Sequence, residues 1–323
     1  LQRLDSCIKE LVSDRIGVFT IPGTSSSIDI LLDEKTEVND LRPYIDTIRR
    51  VKSASEIQYM QEAASIASSA HEKAMRNSRP GMGEWEIQAM VEGHFMSSQS
   101  QWSFPSIVGG GDNATVLHYK DNNQVIGSGD LVLVDAGCEV SGYASDITRT
   151  WPVNGRFSQP QREIYNLVLK AELAGIEACQ PGMPWVSMHE AVCVTIAEGL
   201  IELGVLNCTL EDALGRVAGK PGVFEGQIRN FFMHGTGHFL GLDVHDVGGG
   251  RQGDPNSSFL LEPGMVLTIE PGLYFGSWRN DILIPERYAG IGIRIEDDVL
   301  VTEQGPFVLS LSLIHISEPT RPI

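Results

Sequence analysis

Residues 129–137, GDLVLVDAG, run four consecutive apolar residues, Leu131 to Val134, directly into Asp135. Such a run reads as a strand buried on both faces, and it aims a carboxylate into the protein interior. The pattern recurs in GMVLTIEPG (264–272): a glycine, an apolar run, an acid (Glu270) six residues on and a second glycine eight residues on. Each time a further strand with an acid inside it follows, Asp146 in YASDITRTW and Glu296 in GIGIRIEDDVLVT. Two similar halves, each offering two acids on neighbouring strands, suggest a pseudo-symmetric pair facing one centre.

Electrostatics says what that centre would need. A lone buried carboxylate is costly and protonates instead of ionising. Clustered carboxylates also repel one another, by about 1–4 kcal/mol per close pair. Two divalent cations among them would set positive charge against negative, and inward-pointing acids then become favourable. Strand alternation puts Glu296 on one face with Arg294 and Asp298, and Asp146 on one face with Thr148 and Thr150. Arg294 and Thr148 are thereby placed to orient ligating carboxylates. The alternative for Arg294 is a plain Arg–Glu cross-strand pair. A third stretch, FFMHGTGHFLGLDVHDVGG, gathers His234, His238 and His245. Gly235 and Gly237 argue against a helix there and permit close backbone approach to a ligand.

Helices must hold these strands. RRVKSASEIQYMQEAASIASSAHEKAM opens one, with Ser53 and Glu56 as a capping box and Ile57, Met60, Ala64 and Ala67 as its stripe. A second follows the Pro80–Gly81 turn, and SFPSIVGGGDNATVLHYK reads as strand, loop, strand, with VGGGD as the turn. VGGGD lacks both the lysine and the glycine spacing of a phosphate loop. Two more helices are expected over 160–179 and 185–203, the first bounded by Ser158-x-Pro160 and Pro181–Gly182, the second ending at Gly204. Helices, strand pair, helices, strand pair is an α+β order, not a strict βαβ alternation. His71, His94 and His189 fall on helices and read as exposed or packed side chains.

The chain of 323 residues is 42% hydrophobic and 20% charged, an ordinary globular composition with length for a sizeable core. Its net charge of −18 argues against nucleic acid or an anionic membrane as partner. Five scattered cysteines without a Cys-x-x-Cys pair point to free thiols in a reducing compartment. No apolar run approaches the ~20 residues of a membrane helix. The chain begins at Leu1, so it reads as a piece of a longer protein whose targeting segment would lie upstream. Residues 1–50 read as the end of a preceding domain and its linker. The last residues, LSLIHISEPTRPI (311–323, with His315), read as translated adapter sequence foreign to the domain.

Taken together, VDAGCEVSGYASDITRTWPVNGRF, HGTGHFLGLDVHDVG, LEPGMVLTIEPGLY and GIGIRIEDD resemble the aminopeptidase P (Xaa-Pro aminopeptidase) family of pita-bread metallopeptidases. The wording is most similar to the mitochondrial-type members, and the resemblance spans about 50 to 310. It implies a pita-bread catalytic domain over 51–310, after the remnant of a creatinase-like N-terminal domain. It also implies five metal ligands: Asp135, Asp146, His238, Glu270 and Glu296. Asp135 would serve one ion, Asp146 and Glu296 would bridge two, and His238 and Glu270 would complete the other. An oxygen-rich set with one imidazole suits manganese first, then cobalt or zinc. The implied reaction is attack by a metal-bridged hydroxide on the peptide bond before a second-position proline.

In that reaction Glu270 is the expected general base and proton shuttle. His118 and His245 are expected to contact substrate and stabilise the tetrahedral intermediate. His234 would line the proline pocket, beside Phe104 and Arg294 in the substrate site. Where family members often have Tyr, this chain has Phe104, which keeps an apolar wall and loses a hydroxyl. Neighbouring readings are a prolidase acting on Xaa-Pro dipeptides and a catalytically weak binding module on the same fold. The resemblance further implies peptide substrates, homo-oligomeric assembly of the full-length protein, and a mitochondrial or cytoplasmic location.

Overall fold

The computed structural model describes residues 17–24, 37–247 and 259–310, together with Cys7, Glu10 and Asp29. The proposed foreign tail, and nearly all of the pieces CIKELVSD and IDILLDE, lie outside the described residues. The chain divides into two compact units, Leu1–Arg50 and Val51–Ile323. In the first, β1 (Gly17–Thr20) pairs in parallel with β2 (Glu37–Asp40) and is followed by helix α1 (Arg42–Arg50). Phe19 meets Tyr44 edge-on at 5.4 Å between ring centroids.

The second unit opens with α2 (Ala54–Asn77), whose capping box is formed as the sequence predicts. Glu56 Oε2 accepts from the Ser53 amide at 2.7 Å, and Ser53 Oγ accepts from the Glu56 amide at 3.4 Å. Its buried face is built of Met60 and small residues, Ala63, Ala64, Ala67, Ala70 and Ala74; of these Ala63, Ala67, Ala70 and Ala74 share one apolar cluster with Ile87, Val91 and Phe95 of α3 (Glu84–Ser97). Next come β3 (Gln101–Trp102), β4 (Ile107–Gly110), β5 (Leu131–Asp135), β6 (Cys138–Val140), β7 (Tyr143–Ala144) and β8 (Thr148–Pro152). Strands β4, β5 and β8 form an antiparallel sheet centred on β5, which sets Asp135 opposite both Ile107 and Thr148. Val108, Val132, Val134 and Trp151 carry that sheet into the cluster beneath α2 and α3.

A second helix pair, α4 (Gln159–Glu177) and α5 (Val186–Glu202), precedes the short α6 (Leu210–Leu214). Both long helices end within two residues of expectation, α4 starting where Ser158 Oγ accepts from the Gln161 amide. Then follow β9 (Val266–Ile269), β10 (Gly272–Phe275), β11 (Ile291–Arg294), β12 (Asp297–Thr302) and β13 (Gly305–Val308). Strands β9, β12 and β13 make another three-stranded antiparallel sheet, as β3, β6 and β7 do in the first half, and β10 pairs with β11. Each half is therefore a helix pair with an antiparallel sheet, the α+β arrangement read from the sequence. The halves join where the Glu296 amide donates to the Thr148 carbonyl at 3.1 Å.

Two local expectations are corrected at this junction. The strands thought to run through Asp146 and Glu296 are interrupted there, with Asp146 lying between β7 and β8 and Glu296 between β11 and β12. Their amides leave the ladder for partners in the other half: Asp146 N–H reaches the Asp298 carboxylate at 3.2 Å, and Glu296 N–H reaches Thr148. The third correction concerns 103–120, which holds only β4. After it the chain makes a tight 3-10 turn over Gly111–Thr115 and continues without a second strand. Gly109 and Gly110 permit this: a Cβ on Gly109 would lie 2.9 Å from the Ala114 nitrogen, and one on Gly110 2.8 Å from Ile126.

Candidate metal centre

Asp135, Asp146, His238, Glu270 and Glu296 all line one cavity of about 580 Å³, and Phe104, His118, His234, His245 and Arg294 line it too. Every site residue expected from the sequence is thus brought to one place, though by different devices. Asp135 ends β5 and Glu270 follows β9, while Asp146 and Glu296 occupy the strand breaks at the junction. His238 sits on the glycine-rich segment, locked to β9 by two backbone contacts. Its carbonyl accepts from the Thr268 amide at 2.9 Å, and its amide donates to Thr268 Oγ1 at 3.2 Å. Gly237 is obligatory for that approach, since a Cβ there would lie 1.8 Å from the Thr268 carbonyl oxygen.

One face of the cavity collects the ligand chemistry. Single ligand atoms of Asp146, His238 and Glu296 lie within 4.8 Å of one another, and His238 Nε2 stands 3.4 Å from Asp146 Oδ2 and 3.8 Å from Glu270 Oε1. The His238 Nδ1 atom is 3.0 Å from the Phe239 carbonyl, which can only accept. Nδ1 therefore carries a proton, and Nε2 is the ring nitrogen that faces the carboxylates and could coordinate a cation. Asp135 is held differently: Arg294 Nη2 donates to its Oδ2 at 2.6 Å. That contact settles the alternative for Arg294, whose carboxylate partner here is Asp135. Thr148 Oγ1 donates to Glu296 Oε2 at 2.6 Å, the orienting contact expected of it.

A directed chain of hydrogen bonds continues from Arg294. Its Nη1 donates to the Tyr274 hydroxyl at 3.0 Å, which donates in turn to His234 Nε2 at 2.8 Å, while Nδ1 of His234 faces the Gly235 carbonyl at 2.8 Å. Burial first, then the nearby Arg294 cation, hold the His234 pKa down to about 3, so the ring is neutral. Tyr274 had no role in the sequence reading, although it stands four residues after Glu270. A tyrosine in an apolar strand carries no signal until a partner for its hydroxyl is known. Asp298 falls on the face of Glu296 in the sequence reading but has no role there, and Thr236, whose carbonyl accepts from the Glu270 amide at 2.7 Å, escaped notice because its partner is fixed only by the fold. His189 packs as expected and reaches this region from behind, with Nδ1 at 2.7 Å from Thr236 Oγ1.

Without cations the site is under electrostatic stress. Burial, and then the charge of Glu296, raise Asp146 and Glu270 well above the carboxylate range; burial and Asp135 push Glu296 up to about 7. Asp135 Oδ1 and Asp146 Oδ1 are buried with no hydrogen-bond partner among the described residues. Such orphaned oxygens, among four acids and one imidazole, are the donor set of a divalent cation.

The fold and this donor set define a class, the metal-dependent hydrolases built on two pseudo-symmetric halves. Residues 58–303 match Peptidase_M24, metallopeptidase family M24. Among curated proteins, the Xaa-Pro aminopeptidase of Haemophilus influenzae is 40% identical over 97% of this chain and 70% of its own length. That of Escherichia coli is 43% identical over 86% of this chain and 60% of its own. Mouse Xaa-Pro aminopeptidase 3 is 39% identical over 85% of this chain and 51% of its own length. Among solved structures, E. coli aminopeptidase P with the inhibitor Pro-Leu superposes with a TM-score of 0.86 at 38% identity, over 97% of this chain and 71% of that one. The zinc-substituted E. coli enzyme in complex with product matches equally well.

The chain belongs to metallopeptidase family M24 and groups with its Xaa-Pro aminopeptidases. Its fold is the pita-bread fold, and its class is that of the metal-dependent exopeptidases.

Proposed function

We propose that this chain carries the catalytic domain of an aminopeptidase that releases the N-terminal residue from peptides with proline in second position. The observation behind this reading is that Asp135, Asp146, His238, Glu270 and Glu296 line one cavity that three further histidines also line. Those five side chains would hold two divalent ions, manganese foremost given one imidazole and four carboxylates. When bound, such ions acidify water and polarise a carbonyl.

The remaining work falls to this chain's own groups. Glu270 lies at the edge of the acid cluster, its Oε2 3.7 Å from His234 Nδ1, and would take the proton of the attacking water and pass it to the leaving amine. His118 and His245 are exposed on the cavity wall, where a bound peptide could reach them, and would steady the oxygen that gains charge. His234 and Phe104 would flank the proline ring. Arg294 would hold Asp135 in place and close the substrate pocket through Tyr274.

Residues 51–310 form the catalytic domain in this reading, and 1–50 the end of a creatinase-like N-terminal domain with its linker. The longer protein would be homo-oligomeric and take peptides, not nucleic acid or membrane, as partners. Among the described residues no helix is long and apolar enough to cross a membrane. The free cysteines favour a reducing compartment, cytoplasm or mitochondrion.

Paired peptides test the proposal. With manganese added, Xaa-Pro-Yaa should be cleaved and Xaa-Ala-Yaa left intact. Cleavage indifferent to proline would reject the specificity, and cleavage confined to the Xaa-Pro dipeptide would make the enzyme a prolidase. Binding of manganese without any hydrolysis would leave only a binding module.

A further inference from the structure

Glu84 is the first residue of α3, fully buried, and its carboxylate is spent on one segment of chain. Oε1 accepts from the Gly110 amide at 2.8 Å and from Asn113 Nδ2 at 2.9 Å. Oε2 accepts from the Tyr119 hydroxyl and from the Gln124 amide, both at 2.9 Å. Each oxygen therefore carries two donors, and all four belong to residues 110–124. The Glu84 amide adds a fifth bond, to the Gln124 carbonyl at 2.9 Å.

After the turn at Gly111–Thr115 that segment forms no strand or helix. Its backbone must find partners elsewhere, and Glu84 supplies them at both ends. A second anchor helps from the same helix side: Asn122 Oδ1 accepts from the Val108 amide at 2.9 Å, and its Nδ2 donates to Gln88 Oε1 at 2.9 Å. Between the anchored ends lie Leu117, His118 and Lys120, all lining the cavity. Tyr119 packs on the cluster of Ile107, Ala114 and Leu133 and gives its hydroxyl to Glu84. His118 stands in the turn just before Tyr119, so the bond that fixes Tyr119 also holds the backbone from which the His118 ring lines the cavity.

We infer that Glu84 is a positioning residue: it fixes the 110–124 segment and so sets where the His118 imidazole stands in the substrate cavity. The inference is structural in its first part and rests on the proposed aminopeptidase activity in its second. Glu84→Gln keeps the shape but sets an NH2 group against two of the four donors. Hydrogen exchange at the Gly110 and Gln124 amides should quicken by about tenfold or more, with a lesser effect in Tyr119→Phe. The His118 ring resonance should shift and broaden and the melting temperature should fall, while manganese uptake stays near wild type.

For Xaa-Pro-Yaa, kcat/KM should fall about tenfold in Glu84→Gln, yet adding that change to His118→Ala should cost little more than His118→Ala alone. Unchanged exchange and an unchanged His118 resonance would overturn the inference, and so would losses that multiply in the double variant. If wild-type protein cleaves no Xaa-Pro peptide, the functional proposal fails, and the exchange and resonance measurements still decide the role of Glu84.

Discussion

Arg294 stands between two jobs that meet at one carboxylate. It neutralises part of the charge on Asp135 and, through Tyr274, holds the neutral His234 ring. Replacing it with methionine should weaken manganese binding by about 10–100-fold, because Asp135 is then free to turn from the centre. Arg294→Lys should recover only part of that loss, since one ammonium cannot serve Asp135, Tyr274 and Thr148 in a fixed fork. Metal titration followed by calorimetry checks both, and equal affinity in wild type and Arg294→Met would refute the role. Glu270→Gln should lower kcat by about 10²–10⁴-fold if this carboxylate moves the proton. Steady-state rates at saturating manganese measure it.

Among the elements, the weakest tolerance is expected where two of them touch by backbone alone. Gly237 lets the histidine segment lie on β9, and Gly137 lets the turn after β5 meet the Ser145 carbonyl; a Cβ at either would come within 1.8 Å of an oxygen. Gly237→Ala should cost more than about 4 kcal/mol or abolish folding, because backbone on both sides must move. Soluble yield and denaturation curves give the answer. The capping box of α2 makes a smaller claim. Ser53→Ala should cost about 1 kcal/mol, a fall in Tm of about 2–4 °C, without change in kcat/KM.

For the folded unit as one body, stability should follow metal occupancy and pH in opposing ways that can be separated. Chelation leaves Asp135, Asp146, Glu270 and Glu296 to repel one another, so Tm should drop and recover on adding manganese. A Tm indifferent to chelator would contradict a centre built around cations. His71 and His189 act with the other sign. Burial holds both down to about 4, so the unfolded chain takes up protons between pH 6.5 and 4 that the folded one refuses. Their contribution, on the order of 3 kcal/mol each, is present above pH 6.5 and is lost as pH falls toward 4. Raised carboxylates such as Asp298 work against this trend, so the measure is the difference between wild type and His71→Gln. That difference should shrink by about this amount between pH 7 and pH 4.

What could be read from residue order alone was whatever repeats over short distances. The glycine–apolar–acid echo located Asp135 and Glu270, the serine caps located α2 and α4, and charge balance among buried acids called for cations. These signals are local in the chain, or follow from the cost of burying charge, so folding did not alter them. The breaks at Asp146 and Glu296, the pairing of Arg294 with Asp135, the relay through Tyr274 and the hold of Glu84 on the His118 segment were settled only on assembly. Each depends on groups far apart in sequence, 152 residues for Asp146 with Asp298 and 159 for Arg294 with Asp135. A side chain's partner across a gap is chosen by how elements pack, within one half for Glu84 and Tyr274 and between halves for Asp146 and Arg294, and no periodicity along a single strand records that choice.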